Sequence, residues 1–174
     1  FCDFYSNPVP FEPKVLKNIS TAERNEILPV ISPDNEHIYY TIEYDEYIKG
    51  DFAVHHEQLF ANSTRNSFRE NFLKGKPLEE PFNLGPKYGG ATLSLNNKEM
   101  YICACIQNGG YFNCDLYVSE NQKKTITLKR EGKDFDTTFY SWSPLKNLGP
   151  NVNGPQTWEA QPSLSGDGKT LYFA

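Results

Sequence analysis

The sequence lacks the short motifs that mark most enzyme classes. It contains no Gly-x-Ser-x-Gly nucleophile turn, no Walker-type phosphate loop and no His-Glu-x-x-His zinc helix. Its 174 residues include only 3 histidines, 2 tryptophans and 1 methionine. Nucleophilic, nucleotide-dependent and zinc-peptidase chemistry therefore have no support in the sequence.

Concentrated positive charge and long apolar runs are also missing. The net charge is −5, and no basic cluster is longer than Lys123-Lys124 or Lys129-Arg130. Nucleic-acid binding is therefore disfavoured, because phosphate attraction requires a concentrated positive face. Since a spanning helix needs about 18 or more apolar residues in a row, the sequence predicts no membrane-spanning segment.

What the sequence does contain is an internal repeat. A turn of the pattern Ser-x-(Asp/Asn)-(Gly/Asn), followed by an aromatic-rich run, occurs three times. The copies are Ser32-Pro33-Asp34-Asn35, Ser94-Leu95-Asn96-Asn97 and Ser165-Gly166-Asp167-Gly168. Asp and Asn side chains bond their own backbone, and Asn and Gly accept left-handed dihedrals. Each copy therefore predicts a β-hairpin, centred on Asp34-Asn35, Asn96-Asn97 or Asp167-Gly168.

The spacing of the copies predicts an all-β fold, a β-propeller of four-stranded antiparallel blades. Ser94 follows Ser32 by 62 residues and Ser165 follows Ser94 by 71. The strings Asn83-Leu84-Gly85-Pro86 and Asn147-Leu148-Gly149-Pro150 extend the match. A blade needs only about 40–50 residues, so the surplus is expected in polar loops. We place these at residues 44–57, 64–81 and 121–141, as solvated surface or as a recognition surface.

The repeat units are approximately residues 11–80, 81–145 and 146–174, with the third truncated. A propeller closes with at least four blades. We therefore expect the chain to be a partial propeller, a fragment of about two and a half blades.

Three strings carry a resemblance to a known family. They are Leu-Ser-Gly-Asp-Gly-Lys-Thr-Leu-Tyr-Phe at residues 164–173, Asp-Leu-Tyr-Val-Ser at 115–119 and Trp-Ser-Pro-Leu-Lys-Asn-Leu-Gly-Pro at 142–150. They resemble the WD40-like, Tol-associated propeller repeats of bacterial envelope proteins. Asn-Cys-Asp-Leu-Tyr at 113–117 and Gln-Pro-Ser-Leu-Ser at 161–165 are similar to the subset that includes PorE-like lipoproteins of the type IX secretion and gliding apparatus. Asn96-Asn97 departs from the family's Asp-Gly.

The resemblance implies a periplasmic, outer-membrane-associated assembly module with no enzymatic activity and no cofactor. Its expected partners are envelope proteins, and also peptidoglycan, which related proteins bind through domains outside this chain. Asp136-Thr137-Thr138 resembles the acceptor triplet of envelope O-glycosylation in gliding-type bacteria. Thr137 is therefore a predicted glycosylation site.

The chain has 4 cysteines. Cys105 and Cys114 flank a short hairpin connection, so we expect them opposite each other on an antiparallel pair and joined in a disulfide. Cys103 lies on the same strand face as Cys105 and could pair with Cys2. A zinc site formed by Cys103, Cys105 and Cys114 and a set of four buried, reduced thiols are the alternatives.

Two acidic residues leave an enzymatic alternative open. Glu26 and Glu159 occupy the same repeat position, where the second unit has Tyr88. Carboxylates at inner-strand ends form the acid and base of propeller-type glycoside hydrolases. The alternative function is thus the propeller of a carbohydrate-active enzyme or of a serine peptidase. Because Tyr88 breaks the series, we favour a structural role at the blade junctions.

His55-His56-Glu57, with Asp51 upstream, is a further group of potential metal ligands. Adjacent strand residues point to opposite faces, so both histidines cannot readily bind one ion. We predict a solvated surface here. The sequence as a whole predicts a non-enzymatic binding or scaffolding propeller.

Overall fold

The computed structural model describes residues 6–8, 10–47, 54–66, 71–108, 111–130 and 132–174. Over these ranges the protein is all-β, as predicted, and its sheets are antiparallel. The strands are β1 (Asn25–Ile31), β2 (His37–Tyr47), β3 (Val54–Thr64), β4 (Lys76–Pro77), β5 (Lys87–Leu93), β6 (Glu99–Asn108), β7 (Tyr111–Arg130), β8 (Lys133–Trp142), β9 (Lys146–Asn147), β10 (Ser163–Leu164) and β11 (Leu171–Tyr172).

The first two sheets have the same strand order. The first runs β1-β2-β3-β4, and in the second β5 pairs with β6, β6 with β7 and β7 with β9. The third sheet contains β10 and β11. Each predicted hairpin therefore lies in a sheet of its own, which is the arrangement that the repeat predicts.

The three hairpin turns have the same hydrogen bonds. In each, the serine N–H donates to the carbonyl five residues later, at 2.9, 2.9 and 2.8 Å. The serine hydroxyl donates to the Asp or Asn Oδ1 two residues on and accepts the N–H five residues on, at 2.9 Å in all three turns. The Ser165 hydroxyl and the Lys169 N–H lower the pKa of Asp167. The three copies thus share a hydrogen-bonding pattern as well as a sequence motif.

The residue four positions before each turn serine has a left-handed backbone conformation, with positive φ. These are Leu28 (φ 52°), Gly90 (φ 69°) and Gln161 (φ 51°). At Leu28 and Gly90 the pairing with the next strand shifts register, which is a β-bulge. The bulge is a second repeated feature, and the residue types give no sign of it.

In each of the first two sheets, an asparagine amide holds the short fourth strand. We call this feature the asparagine clamp. The Phe60 N–H donates to Asn83 Oδ1 at 2.7 Å, and Asn83 Nδ2 donates back to the Phe60 carbonyl at 2.9 Å. Asn153 makes the same pair of bonds with Leu116, both at 2.9 Å. The match of Asn83 with Asn147 in the sequence was therefore wrong. Asn83 corresponds to Asn153, because each lies six residues after the end of its sheet's fourth strand.

The main hydrophobic core joins the first two sheets. Its buried residues are Tyr39, Phe60, Phe82, Tyr88, Leu93, Met100, Ile102, Ala104 and Tyr117. The buried Thr41 hydroxyl donates to the Tyr88 carbonyl at 3.1 Å, which adds a polar bond between the sheets. The two sheets are thus fixed against each other.

Two of the predicted loops are largely strand. In the loop predicted at residues 44–57, residues 44–47 belong to β2 and residues 54–57 to β3, paired from Tyr44↔Glu57 to Tyr47↔Val54. Residues 121–141 form a β-hairpin, in which the second half of β7 pairs with β8 from Asn121↔Trp142 to Arg130↔Lys133. The first of these strands, β7, has 20 residues and includes the Asp-Leu-Tyr-Val-Ser motif at 115–119. Alternating Thr, Ile, Leu and Phe on both strands favour strand pairing.

The repeated bulge predicts opposite effects for two substitutions. Gly90→Ala should lower the free energy of unfolding by about 2 kcal/mol, because a side chain at positive φ is strained. Its Cβ would also lie 3.1 Å from the Gln161 Cα. Exposed Gln161→Gly should leave stability unchanged or raise it by up to ~1 kcal/mol. Urea unfolding measures both, with Gly166→Ala, which meets no neighbour within 4 Å, as the control. An effect of Gly90→Ala no larger than that control would contradict the strain argument.

The asparagine clamp gives a second prediction. Asn153→Ala leaves the N–H of fully buried Leu116 without its partner, while the Leu116 carbonyl keeps its bond from the Leu148 N–H. An unsatisfied buried donor costs about 1–3 kcal/mol, so we expect a loss of that size in urea unfolding. Exposed Asn151→Ala is the matched control and should cost under ~0.5 kcal/mol. Equal losses at both positions would show that the clamp contributes nothing specific.

Candidate functional site

The hairpin of residues 121–142, called the arm from here on, is the strongest candidate for a recognition element. Its second strand, β8, pairs with β7 and with no other strand that the structure describes. The arm therefore extends beyond the sheet formed by β5, β6, β7 and β9. The sequence predicts a polar loop here, either as solvated surface or as a recognition surface, and the structure has a β-hairpin in its place.

The base of the arm is anchored in the main core. The Trp142 ring lies edge-on to Tyr39 and to Phe82, with centroids 6.4 and 6.2 Å apart. Next to it, the Ser143 N–H donates to the Glu120 carbonyl at 2.8 Å, and the Glu120 N–H donates to the Ser143 hydroxyl at 2.9 Å. The packing and hydrogen bonds hold the root of the arm in a fixed position.

The arm has one apolar, basic face. Because strand side chains alternate, β7 and β8 place every second residue on the same side. This face carries Lys124, Ile126, Leu128 and Arg130 from β7, and Lys133, Phe135, Thr137 and Phe139 from β8. Its four large apolar side chains are 40–44% exposed. Among its described residues, the face therefore combines half-exposed hydrophobic groups with three cations and no acid.

The opposite face of the arm is polar and internally bonded. The Thr127 hydroxyl donates to Asp136 Oδ1 at 2.7 Å, and the hydroxyls of Thr125 and Thr138 lie 3.3 Å apart. These cross-strand bonds fix the register of the arm. Consequently the two faces differ in chemistry, and the apolar one is the candidate for binding.

Thr137, the predicted glycosylation site, lies within the apolar face. It stands opposite Ile126 and is half-buried. Sugar attachment to Thr137 stays a prediction.

Cys105 and Cys114 form a disulfide in the structure. They face each other across the β6–β7 pair, with Cα atoms 3.9 Å apart. That separation is shorter than the ~4.4–6.8 Å that a bridge usually spans and that we expected. With both sulfurs committed to each other, the alternative zinc site of Cys103, Cys105 and Cys114 does not form.

Cys103 is a free, buried thiol beside this disulfide. Burial raises its pKa to about 11, and the negative charges of Asp115 and Glu159 add to the effect. The thiol is therefore protonated and unreactive near neutral pH. The pairing of Cys103 with Cys2 is not formed, and Cys2 itself lies outside the described residues.

One side chain in each unit makes a similar local contact. These side chains are Glu26, Tyr88 and Glu159. Each accepts a hydrogen bond from the loop just before it. The donors are the Thr21 hydroxyl and N–H, the Leu84 N–H and the Thr157 hydroxyl. The Glu159 N–H also donates to the Cys114 carbonyl at 3.0 Å, which ties the third unit to the second sheet. These contacts agree with a structural role at the junctions.

Metal binding has no candidate among the residues that the structure describes. No group of three or more His, Cys, Asp or Glu side chains there is arranged to hold an ion. The side chains of His55, His56 and Glu57, and the whole of Asp51, lie outside the described residues. In the described ranges no helix has the length and apolar character needed to cross a membrane.

The disulfide makes a prediction about stability. Reducing the Cys105–Cys114 bond should lower the free energy of unfolding by about 2–3 kcal/mol, because it frees a short closed loop in the unfolded chain. Urea unfolding with and without reductant measures this. The double variant Cys105→Ala/Cys114→Ala is the control and should not respond to reductant. If the unmodified protein also fails to respond, the bond is not formed in solution.

No protein family, curated protein or solved structure matches this chain. The likeness to Tol-associated repeats therefore rests on short sequence motifs alone.

Proposed function

We propose that the chain is a binding or scaffolding module of propeller type, with no enzymatic activity, in a bacterial cell-envelope assembly. The observation that carries this proposal is the arm, an extended hairpin with an exposed apolar and basic face on a firmly packed base. Propellers present rigid faces, and the elements that project from them do the recognising.

The propeller assignment is supported by repetition within the fold. Two successive sheets share a strand order, an asparagine clamp and a β-bulge. The third hairpin has the same turn bonds and the same left-handed residue. Each unit needs neighbours to cover its apolar face, as in repeat folds.

A role in the periplasm, at the outer membrane, is supported by two independent features. The disulfide is of a kind that persists in oxidising compartments such as the bacterial periplasm. The Tol-associated motifs point to the same compartment. Assembly within a type IX secretion or gliding apparatus follows from the resemblance alone.

The enzymatic alternative receives less support. The carboxylates of Glu26 and Glu159 accept hydrogen bonds from neighbouring loops, which gives each a structural reason for its position. At the equivalent position, the phenol oxygen of Tyr88 accepts the same kind of hydrogen bond. A phenol cannot serve as the carboxylate base of a glycosidase.

The arm provides the test. In the full-length protein, replacing residues 123–140 by Asn-Gly closes β7 and β8 with a two-residue hairpin and removes the projecting part. We expect this variant to leave its envelope complex, seen as loss of co-sedimentation from solubilised envelopes. Glu26→Gln/Glu159→Gln should stay in the complex, although its stability falls.

Two results would oppose the proposal. The arm-deleted protein could keep a full complex while remaining folded. Alternatively, the full-length protein could hydrolyse a polysaccharide or peptide, with either Glu→Gln change abolishing turnover in a folded protein. The second result would establish the enzyme.

A further inference from the structure

We propose that the apolar face of the arm binds an extended, acidic and apolar segment of a partner protein, which adds as a third strand beside β8. This inference rests on the proposed binding function and names the chemistry of the partner. It follows from the side chains of the face, the distribution of charge and the free edge of β8.

The apolar groups form one patch. Leu128 and Phe135 are directly opposite each other in the strand pairing, and Ile126 lies two residues along the same face. Phe139 continues the patch toward the base. Four half-exposed side chains of this size present an area on the order of a few hundred Å², the size of patch that is often functional.

The charges around the patch select an acidic partner. Lys124, Arg130 and Lys133 share the apolar face, and no described residue of that face is Asp or Glu. Asp134 and Asp136, the acids of the arm that the structure describes, lie on the opposite face. A protein with a net charge of −5 thus offers a locally positive apolar surface. Glutamate or aspartate side chains flanking apolar ones would complement it.

The same charges argue against a second copy as the occupant. Two arms packed through their apolar faces would bring two sets of three like charges together, which is costly. The patch is also smaller than the ~800 Å² that each partner contributes to a stable interface. A short segment fits the area better than a second arm does.

The edge of β8 favours a strand as the form of that segment. Between Lys133 and Trp142 β8 has no proline, and its outer side pairs with no strand that the structure describes. A row of backbone N–H and carbonyl groups at such an edge is a template for strand addition. Since a two-stranded ribbon is marginally stable in water, a third strand would stabilise the arm.

A lipid surface is the less favoured occupant. The described end of the arm carries Arg130, Lys133 and Asp134. A charged tip disfavours insertion into hydrocarbon, and the apolar side chains lie along the flat of the arm. The test therefore also measures binding to lipid vesicles.

The probe is a fluorescein-labelled peptide in which every second residue is glutamate, valine or phenylalanine and the residues between them are threonine, so that the acidic and apolar side chains share one face of the added strand. Its matched partner has lysine in place of glutamate. Fluorescence anisotropy with the unmodified protein should show binding of the acidic peptide at least tenfold tighter than of the basic peptide. Vesicles of phosphatidylglycerol should bind more weakly than the acidic peptide.

Neighbouring residues of the arm give matched variants. Lys124→Glu and Lys123→Glu make the same charge change on opposite faces, and Phe139→Thr and Tyr140→Thr remove an aromatic ring from opposite faces. Changes on the apolar face should weaken the peptide at least tenfold, and changes on the polar face less than twofold. Hydrogen exchange should show new protection of β8 amides when the acidic peptide binds.

The inference fails if Lys123→Glu weakens binding as much as Lys124→Glu, if the acidic peptide gives no saturable binding, or if vesicles bind more tightly. Dimerisation in sedimentation that is abolished by Phe139→Thr would also overturn it, in favour of a second copy. If the acidic peptide does not bind while the arm-deleted protein still leaves its envelope complex, the proposed chemistry of the partner is wrong and the proposed binding function stands. If arm deletion has no effect either, both are wrong.

Discussion

The hydroxyl of the turn serine is the constraint on which the repeated sheets depend. In every hairpin it donates to the Asp or Asn side chain and accepts a backbone N–H, so three groups are tied within six residues. This bonding fixes the register of the two strands that leave the turn. Since a slip of one residue would turn every core side chain outward, the aromatic residues reach the core only if the turn is correct. The bulge four residues upstream depends on the same register.

The sheets are then joined by polar bonds that work only at fixed spacing. The asparagine clamps place the fourth strand on the third, and the Thr41–Tyr88 bond connects the first sheet to the second. All of these bonds satisfy backbone groups that packing has removed from water. The aromatic core supplies most of the driving force, while these bonds decide which strand lies next to which. A repeat with few residues in common can therefore keep one architecture.

The sequence allowed prediction of those features that are determined locally. The turns were predictable because their bonds lie within one hexapeptide, and the Cys105–Cys114 register followed from the symmetry of a short hairpin. Other features depend on tertiary structure. Asn83 was matched with Asn147 by its neighbours Leu-Gly-Pro, whereas its true counterpart, Asn153, is defined by distance from the fourth strand. The sequence of the arm resembles a loop because its many charges conceal two alternating patterns, which become visible only when Lys124, Ile126 and Leu128 are set against Phe135 and Phe139.

The arm differs from the rest of the molecule in how it is stabilised, and this difference suits it to recognition. Its root is held by Trp142 in the core and by the hydrogen bonds around Ser143, so its direction is set by the folded body. Beyond the root, only cross-strand bonds and pairs support it, and one apolar face has no cover among the described residues. A rigid base limits the entropy lost on binding, and a ribbon that is only marginally stable gains most from a third strand. Stability supplied by a partner would then be greatest where the chain alone supplies least.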